Sequence, residues 1–254
     1  MITIMLDAGH YGNYNQSPVV PRYYESVQMW KLMLFLKTEL ENFGFKVKQT
    51  RIRLKDDLAV VKRGNLAKDC DLFLSLHSNA VGSSGNEKVD RVDVFYAFDN
   101  LNSASVLAKE LAMAIAECMT VEKYNAKTRK SEKCNWDYYG VMRGARNVGC
   151  PLYFLIEHSF HTNKKSAEWL LKDENLKKLA KAEALVIAKY FNMLPEGDVN
   201  GDGVADMKDY TLVKRIAFDT YKPNPQETQR ADINSDGLVD AKDYTIIKRK
   251  ILND

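Results

Sequence analysis

Residues 198–215 read DVNGDGVADMKDYTLVKR and return, ungapped and offset by 34, as DINSDGLVDAKDYTIIKR at 232–249, with eleven of the eighteen positions identical. One supersecondary unit used twice does not continue the fold that precedes it. The chain is therefore expected to divide into residues 1–194 and a small domain at 195–254. Each copy opens with D-x-N-x-D-G and places acidic residues at loop positions nine and twelve. That is the oxygen spacing of a calcium loop, with Gly at six for the sharp turn and a backbone carbonyl at seven. Loop one offers Asp198, Asn200, Asp202, the Val204 carbonyl, Asp206 and Asp209; loop two offers Asp232, Asn234, Asp236, the Leu238 carbonyl, Asp240 and Asp243. So many like charges repel one another unless a cation joins them, and two calcium ions are expected. Two features depart from the usual helix-loop-helix calcium unit. Position twelve is Asp where Glu is the rule, and no entering helix is readable, because Pro195 and Gly197 precede the first loop and Pro223 and Pro225 the second.

The same boundary divides the charge. Of a formal net charge of +3, residues 1–195 carry +6 and residues 196–254 carry −3, a shift that itself marks a domain edge. The larger part is mildly basic without a clustered Lys/Arg stripe, which argues against nucleic acid and suits an anionic polymer. A composition 45% hydrophobic and 28% charged fills a core and excludes long disorder. No run approaches the roughly 18 to 20 apolar residues of a membrane span. The start, MITIMLDAGH, lacks the basic head, apolar stretch and cleavage site of a signal peptide. The chain reads as soluble, its export signal removed or never present.

Along residues 1–194, hydrophobic patterning alternates. ITIML at 2–6 is a short buried strand, followed by a helix over 24–43 with Val27, Trp30, Leu34, Leu40 and Phe43 at helical spacing. A strand at 45–50, a helical stretch at 56–68 and the apolar run DLFLSL at 71–76 complete a β-α-β-α-β order. VDVFYAF at 92–98 and LYFLIE at 152–157 are further strands, and 103–119 and 174–193 further helices. The fold class is therefore α/β, a mixed, mostly parallel sheet with helices on both faces, joined to a small all-α calcium-binding domain. Sites in such sheets lie just beyond the strand ends. His10, His77 and Glu157 fall there, with His158 beside Glu157 and Glu25 at the start of the first long helix.

Zinc hydrolases hold the metal with three His or carboxylate ligands and leave a fourth position to water. His10, Glu25 and His77 supply such a set. The alternative stays open at this point: a His after a strand can bond a loop, and a Glu at a helix start favours the helix dipole. Asp7 is either a partner orienting an imidazole or a cap of the turn after the first strand. Cys70, Cys118, Cys134 and Cys150 are too far apart for a zinc ribbon. Two disulfides have three connectivities, but free buried thiols are the simpler reading.

LDAGHYG at 6–12, Glu25 fifteen residues after His10, TR at 50–51, Arg63 and Asn65, SLHSNA at 75–80, VMR at 141–143 and PLYFLIEHSFHTN at 151–163 follow one another in that order. Together they resemble the motifs of the zinc-dependent N-acetylmuramoyl-L-alanine amidases, in the branch related to modules that cleave bacterial cell-wall septa. The resemblance spans residues 1 to about 193. It implies that His10, Glu25 and His77 are zinc ligands and that Glu157 is the catalytic carboxylate. It also implies that zinc-activated water cleaves the amide between the lactyl group of N-acetylmuramic acid and L-alanine of the stem peptide. Strand alternation agrees with the choice of Glu157, since Glu157 and His158 point to opposite faces. His158 stands where the family commonly has a small or apolar residue; it and His161 are candidates for a surface or supporting role, or for an added contact. Arg63 and Arg143 are candidates for binding stem-peptide carboxylates through two-pronged bonds. Tyr11, Tyr14, Tyr23 and Tyr24 crowd the loop before Glu25, either as a platform for sugar or peptide or as packing for the loop.

The repeat, a loop and exit helix with Lys-Arg late in each helix, resembles a type I dockerin over residues 198–252. That resemblance implies a cohesin partner. It makes Lys214, Arg215, Lys248 and Arg249, with Met207, Lys208, Ala241 and Lys242, candidate contacts; otherwise they form a solvated basic face. Near two-fold repetition lets either helix pair face the partner. The whole reads as an extracellular or wall-associated peptidoglycan hydrolase, either a trimmed secreted enzyme or a phage-type endolysin. Its alternatives are a zinc hydrolase of free muropeptides and a noncatalytic wall-binding protein, and a general base is superfluous for the last.

Overall fold

The computed structural model describes residues 1–99, 103–133 and 135–253, so Cys134 lies outside the described residues. The chain forms two compact units, Met1–Ile187 and Ala188–Asp254. The first holds β1 (Thr3–Ala8), α1 (Glu25–Asn42), β2 (Lys46–Gln49), α2 (Val60–Asn65), β3 (Leu72–Asn79), β4 (Val92–Tyr96), α3 (Ser103–Met119), β5 (Tyr124–Lys127), α4 (Gly140–Asn147), β6 (Leu152–Phe160) and α5 (Lys164–Leu170). Helix α6 (Asp173–Tyr190) spans the division.

The six strands order as β2-β1-β3-β6-β4-β5. Neighbours are parallel except β4 against β6. The expected strands and long helices are present, while α2 is shorter and β6 longer than the sequence pattern suggested. Short β5, α4 and α5 were not anticipated. β5 (YNAK) has no apolar run, and α4 and α5 are too brief to establish a helical period.

Strand alternation sorts the sheet into two faces. On one, Met5, Phe73, Phe95, Tyr153 and Leu155 pack with Val141, Met142 and Ala145 of α4 and with Cys70 and Cys150. Two residues further along each strand, toward one sheet edge, the same face becomes polar: Asp7, Ser75, His77, Glu157 and, on the antiparallel strand, Asp93. The other face carries Ile4, Leu6, Leu74, Leu76, Val94, Phe154 and Ile156, all buried. Helices α1 and α3 pack on the sheet. Met29, Leu32, Met33, Leu36 and Leu40 form the buried stripe of α1, which shares only Leu40 with the residues expected from spacing; Val27, Trp30 and Phe43 are half-buried and Leu34 is exposed.

Cys70, Cys118 and Cys150 are free thiols. Burial pushes Cys118 up to about 11 and Cys150 up to about 12, which keeps both protonated and unreactive. No described helix is long and apolar enough to cross a membrane.

The second unit contains α7 (Met207–Ala217), α8 (Pro225–Ala231) and α9 (Ala241–Asn253). Its core is Val199, Val213, Ala231 and Ile247. Helix α8 corrects the expectation that Pro223 and Pro225 leave no entering helix before loop two. Pro225 occupies the first turn, where no backbone N–H is needed, and Asn224 and Glu227 form a capping box.

Helices α2 and α4 cross at backbone contact. A Cβ on Gly64 would lie 2.0 Å from the Val141 carbonyl oxygen, and one on Gly144 2.2 Å from that of Val61. Neither obstacle is a side chain that can turn away. Gly64→Ala should therefore lower stability by about 1–3 kcal/mol in chemical denaturation, by overpacking, and Gly144→Ala should do the same.

Candidate metal centre

The loop leaving β1 is held by buried arginine. From beyond β2, Arg51 donates to the carbonyls of Ala8 (3.3 Å), Gly9 (3.1 Å), Ser26 (2.9 Å) and Leu54 (2.7 Å). Burial, and then the neighbouring Arg63, lower its pKa to about 10, which still leaves it charged at neutral pH. Gly9 runs so close to β3 that a Cβ there would lie 2.5 Å from the His77 ring. His10 follows with φ of 58°, a left-handed conformation that costs a non-glycine residue energy and turns its ring toward the sheet edge. Ser26, buried at the start of α1, donates to the Gly12 carbonyl at 2.6 Å and accepts from Tyr14 N–H at 2.8 Å.

This scaffold brings His10, Glu25 and His77 together. One ligand atom from each lies within 4.8 Å of the others, and among the described residues theirs is the group of this kind. Glu25 Oε2 is 3.2 Å from His10 Nε2, and Oε1 is 2.8 Å from His77 Nδ1. Asn15, left-handed at φ 54°, donates to Glu25 Oε2 at 2.7 Å and reaches His10 Nε2 at 3.1 Å. Burial alone would raise the pKa of Glu25, but hydrogen bonds and charge from the two imidazoles outweigh it and hold the carboxylate well below its usual range.

Ser75, Ser78 and Thr50, to which the sequence reading gave no role, join Asp7, Arg63, Tyr23 and His161 in support. His77 Nε2 is 3.1 Å from Ser75 Oγ, and Ser75 donates to Asp7 Oδ2 at 2.7 Å. Asp7 thus reaches the imidazole through a serine rather than by contact. Its other oxygen accepts from Thr50 Oγ1 at 2.6 Å and Arg63 Nε at 2.8 Å. Ser75 could have been found by period two, two residues before His77 on the same strand face. Ser78 N–H donates to Glu25 Oε1 at 3.1 Å, and the Ser78 hydroxyl meets Tyr23 at 2.8 Å and His161 Nδ1 at 3.0 Å. His161 stacks on Tyr23 and holds Ser78, whose N–H bonds Glu25, so its support of Glu25 is indirect.

Glu157 pairs in register with His77 on one side and Asp93 on the other. It is buried, and its Oε2 has no hydrogen-bond partner. Burial raises its pKa well above the usual carboxylate range; Glu25 and Asp93 add to the rise and Lys127 opposes it. Asp93 is buried and bridges to Lys127 (2.9 Å) and Arg91 (3.0 Å). A charge between two strand valines was the available signal for Asp93.

One expectation requires correction. Arg63 is buried in its ion pair with Asp7 and in a bond to the Ala8 carbonyl, so it braces the loop and does not present itself to a substrate carboxylate. Arg143 is half-buried and donates through Nη1 to the Asp137 and Tyr138 carbonyls at 2.8 and 2.6 Å. His158 takes the opposite face from Glu157. There Nδ1 is 2.9 Å from the His77 carbonyl and Nε2 is 2.9 Å from Glu183 Oε1 of α6, both side chains fully buried. Of the four tyrosines, Tyr23 is core, Tyr24 sits half-buried at the start of α1, and Tyr11 and Tyr14 are exposed.

In the second unit the two acidic loops repeat one bonding pattern. Asp209 and Asp243, both buried at position twelve, each accept from the amides after position one and from the amide of position nine. Asp198 and Asp232 accept from amides four and five residues on. Asn200 and Asn234 accept from the position-five amides. Lys208 bridges Asp202 and Asp206, and Lys242 bridges Asp236 and Asp240. The Val204 and Leu238 residues at position seven are exposed. Met207, Lys208, Lys214, Arg215, Ala241, Lys242, Lys248 and Arg249 are all exposed as well.

A family model described as N-acetylmuramoyl-L-alanine amidase matches residues 4–189, and one described as dockerin type I domain matches 196–252. No curated protein matches the chain. Among solved structures, Cwp6 from Clostridium difficile aligns at 24% identity and a TM-score of 0.65, over 74% of this chain and 29% of that one. The catalytic domain of CwlV, an N-acetylmuramoyl-L-alanine amidase from Bacillus (Paenibacillus) polymyxa var. colistinus, aligns at 20% and 0.61, over 76% and 99%. The N-acetylmuramoyl-L-alanine amidase AmiC2 of Nostoc punctiforme aligns at 22% and 0.61, over 75% and 97%. At these identities the likeness is one of fold.

The buried His158–Glu183 pair joins α6 to the backbone of His77. Removing one member of such a pair leaves the other uncompensated, so Glu183→Ala should cost about 3–5 kcal/mol in urea unfolding. Glu183→Gln, which keeps a hydrogen bond, should cost less.

Proposed function

Because the chain belongs to the N-acetylmuramoyl-L-alanine amidase family and carries a type I dockerin domain, we propose that its peptidoglycan amidase activity is a zinc-dependent cleavage of the bond between the lactyl group of N-acetylmuramic acid and L-alanine. In this reading residues 1–194 are the catalytic domain and 195–254 the dockerin. The observation that carries it is the convergence of two imidazoles and one buried carboxylate beside Glu157, whose Oε2 is unpartnered.

The donor set fits zinc, which takes His nitrogen and carboxylate oxygen in a three-residue hydrolase site. His10, Glu25 and His77 would hold it. Zinc bound there supplies Lewis acidity, polarising the amide carbonyl and making water acidic enough to lose a proton near neutral pH. Glu157 takes that proton and then delivers it to the departing alanine nitrogen, base first and acid second. Its raised proton affinity suits the second role, and Lys127 keeps the rise in check. Ser75, accepting from His77 Nε2–H and donating to Asp7, fixes the tautomer that leaves Nδ1 free to ligate.

The oxygen-only loops suit calcium, with Asp198, Asn200, Asp202, Val204, Asp206 and Asp209 as one set and Asp232, Asn234, Asp236, Leu238, Asp240 and Asp243 as the other. The exposed basic helix ends around Lys214, Arg215, Lys248 and Arg249 are the surface for a cohesin. A wall substrate and a dockerin together favour an extracellular or wall-associated place of action.

Two experiments test this. Incubated with purified peptidoglycan, the protein should release amino groups without new reducing ends. Glu157→Gln should reduce that release at least about a hundredfold while zinc content stays near one per chain, and a variant that kept full activity would remove Glu157 from the mechanism. Calcium chelation should abolish the protection of residues 198–252 from hydrogen exchange and leave the sheet of the first unit protected. Unchanged protection in the loops would mean that they fold without the ion.

A further inference from the structure

Tyr14 stacks on His10, with ring centroids 5.0 Å apart and planes 18° from parallel, and Tyr11 stacks on Tyr14 at 6.0 Å and 22°. The stack therefore starts at a candidate zinc ligand and runs outward, ending in rings that are 50% exposed at Tyr14 and 41% at Tyr11. The loop bearing them is not slack. Ser26 grips it at Gly12 and Tyr14, Gly12 N–H bonds to the Leu54 carbonyl at 2.8 Å, and His10 and Asn15 both sit in left-handed conformations. Strained backbone and a buried serine are thus spent on holding two aromatic faces in water beside the metal centre, as preorganised binding surfaces do.

The sheet order says which part of a substrate would meet them. Along the edge, strands β1, β3, β6 and β4 present in turn the His10 loop, His77, Glu157 and Asp93. The acid that protonates the leaving nitrogen must stand on the amine side of the scissile bond, and Glu157 stands toward β4. The acyl side, which carries the sugar, then points the other way, over β1. A pyranose ring offers an apolar C–H face that packs flat on an aromatic ring, and neutral stacked tyrosines supply that face without a charge.

We propose that Tyr11 and Tyr14 bind the sugar ring of the muramoyl group, so that the glycan lies over β1 and the stem peptide runs toward Arg91, just before β4, and Lys127 at the end of β5. This assignment rests on the amidase reading above and goes further in giving the substrate a direction.

The test compares two substrates with the same scissile amide: a muropeptide carrying N-acetylmuramic acid, and the same peptide bearing only a D-lactyl group. In Tyr11→Ala and Tyr14→Ala the preference for the sugar-bearing substrate, as a ratio of kcat/KM values, should fall by about threefold to tenfold, mainly through KM. Tyr14→Phe should keep the preference, since the stacking face remains. Zinc content is measured in each variant. Equal losses on both substrates, or no loss on either, would overturn the proposal, and equal losses accompanied by lost zinc would show that the rings merely prop His10. If the unmodified protein hydrolyses neither substrate, the amidase reading itself fails, an outcome visible before any variant is made.

Discussion

A single fully buried carboxylate, Asp7, ties the catalytic unit together. Its two oxygens accept from Thr50, Arg63 and Ser75, and so join β1 to the loop after β2, to α2 and to β3. A buried charge is costly unless each oxygen is satisfied, and here the cost is offset by an arginine and two hydroxyls. The arrangement propagates. Arg63, once fixed by Asp7, also fixes the Ala8 carbonyl; Ser75, once fixed by Asp7, can orient His77. The loop after β1 and the His77 ring are thus both braced from this one residue, with Arg51 holding the same loop from the other side of Ala8 and Gly9.

The reversal of β4 has a comparable reach. Had β4 run parallel to β6, its C-terminal end would have lain at the end of the sheet that carries His77 and Glu157, and Tyr96 or its neighbours would have stood beside Glu157. Because it runs antiparallel, Asp93 at its start is the partner in register. Burial and Glu25 push the proton affinity of Glu157 up and this second carboxylate adds to the rise, while Lys127 and Arg91 pair with Asp93. Strand polarity is thus part of the electrostatics of the site.

Much of this was legible in the sequence, and for identifiable reasons. Strands such as DLFLSL and LYFLIE are apolar on both faces and alternate with helical stretches, so the α/β layering followed from the pattern, although the face that α1 buries did not. The ends of those strands placed His10, His77 and Glu157 at one edge, and the exact spacing of the repeat exposed the acidic loops. What escaped was set by tertiary partners. Arg63 looks like any exposed helix arginine until its neighbour across the fold is known to be Asp7. Ser75, Ser78 and Asn15 are ordinary polar residues whose roles depend on strand register and on two left-handed turns. Helix α8 escaped because Pro225 was weighed as a breaker, although a proline in the first turn starts a helix as readily as it ends one.

The parallel run of β1, β3 and β6 followed by β4 also sets a scale. Adjacent strands lie about 4.8 Å apart, so the distance from the tyrosine stack's strand to that of Asp93 is roughly 14 Å. An extended chain advances about 3.3–3.6 Å per residue, so this stretch of edge has room for one sugar, its lactyl arm and the first one or two amino acids. The outer part of a stem peptide, where cross-links are made, would then project past the edge strand β5 into open solvent. With the sugar over β1 as proposed, a stretch of edge that short would be indifferent to whether the glycan strand is cross-linked to its neighbour.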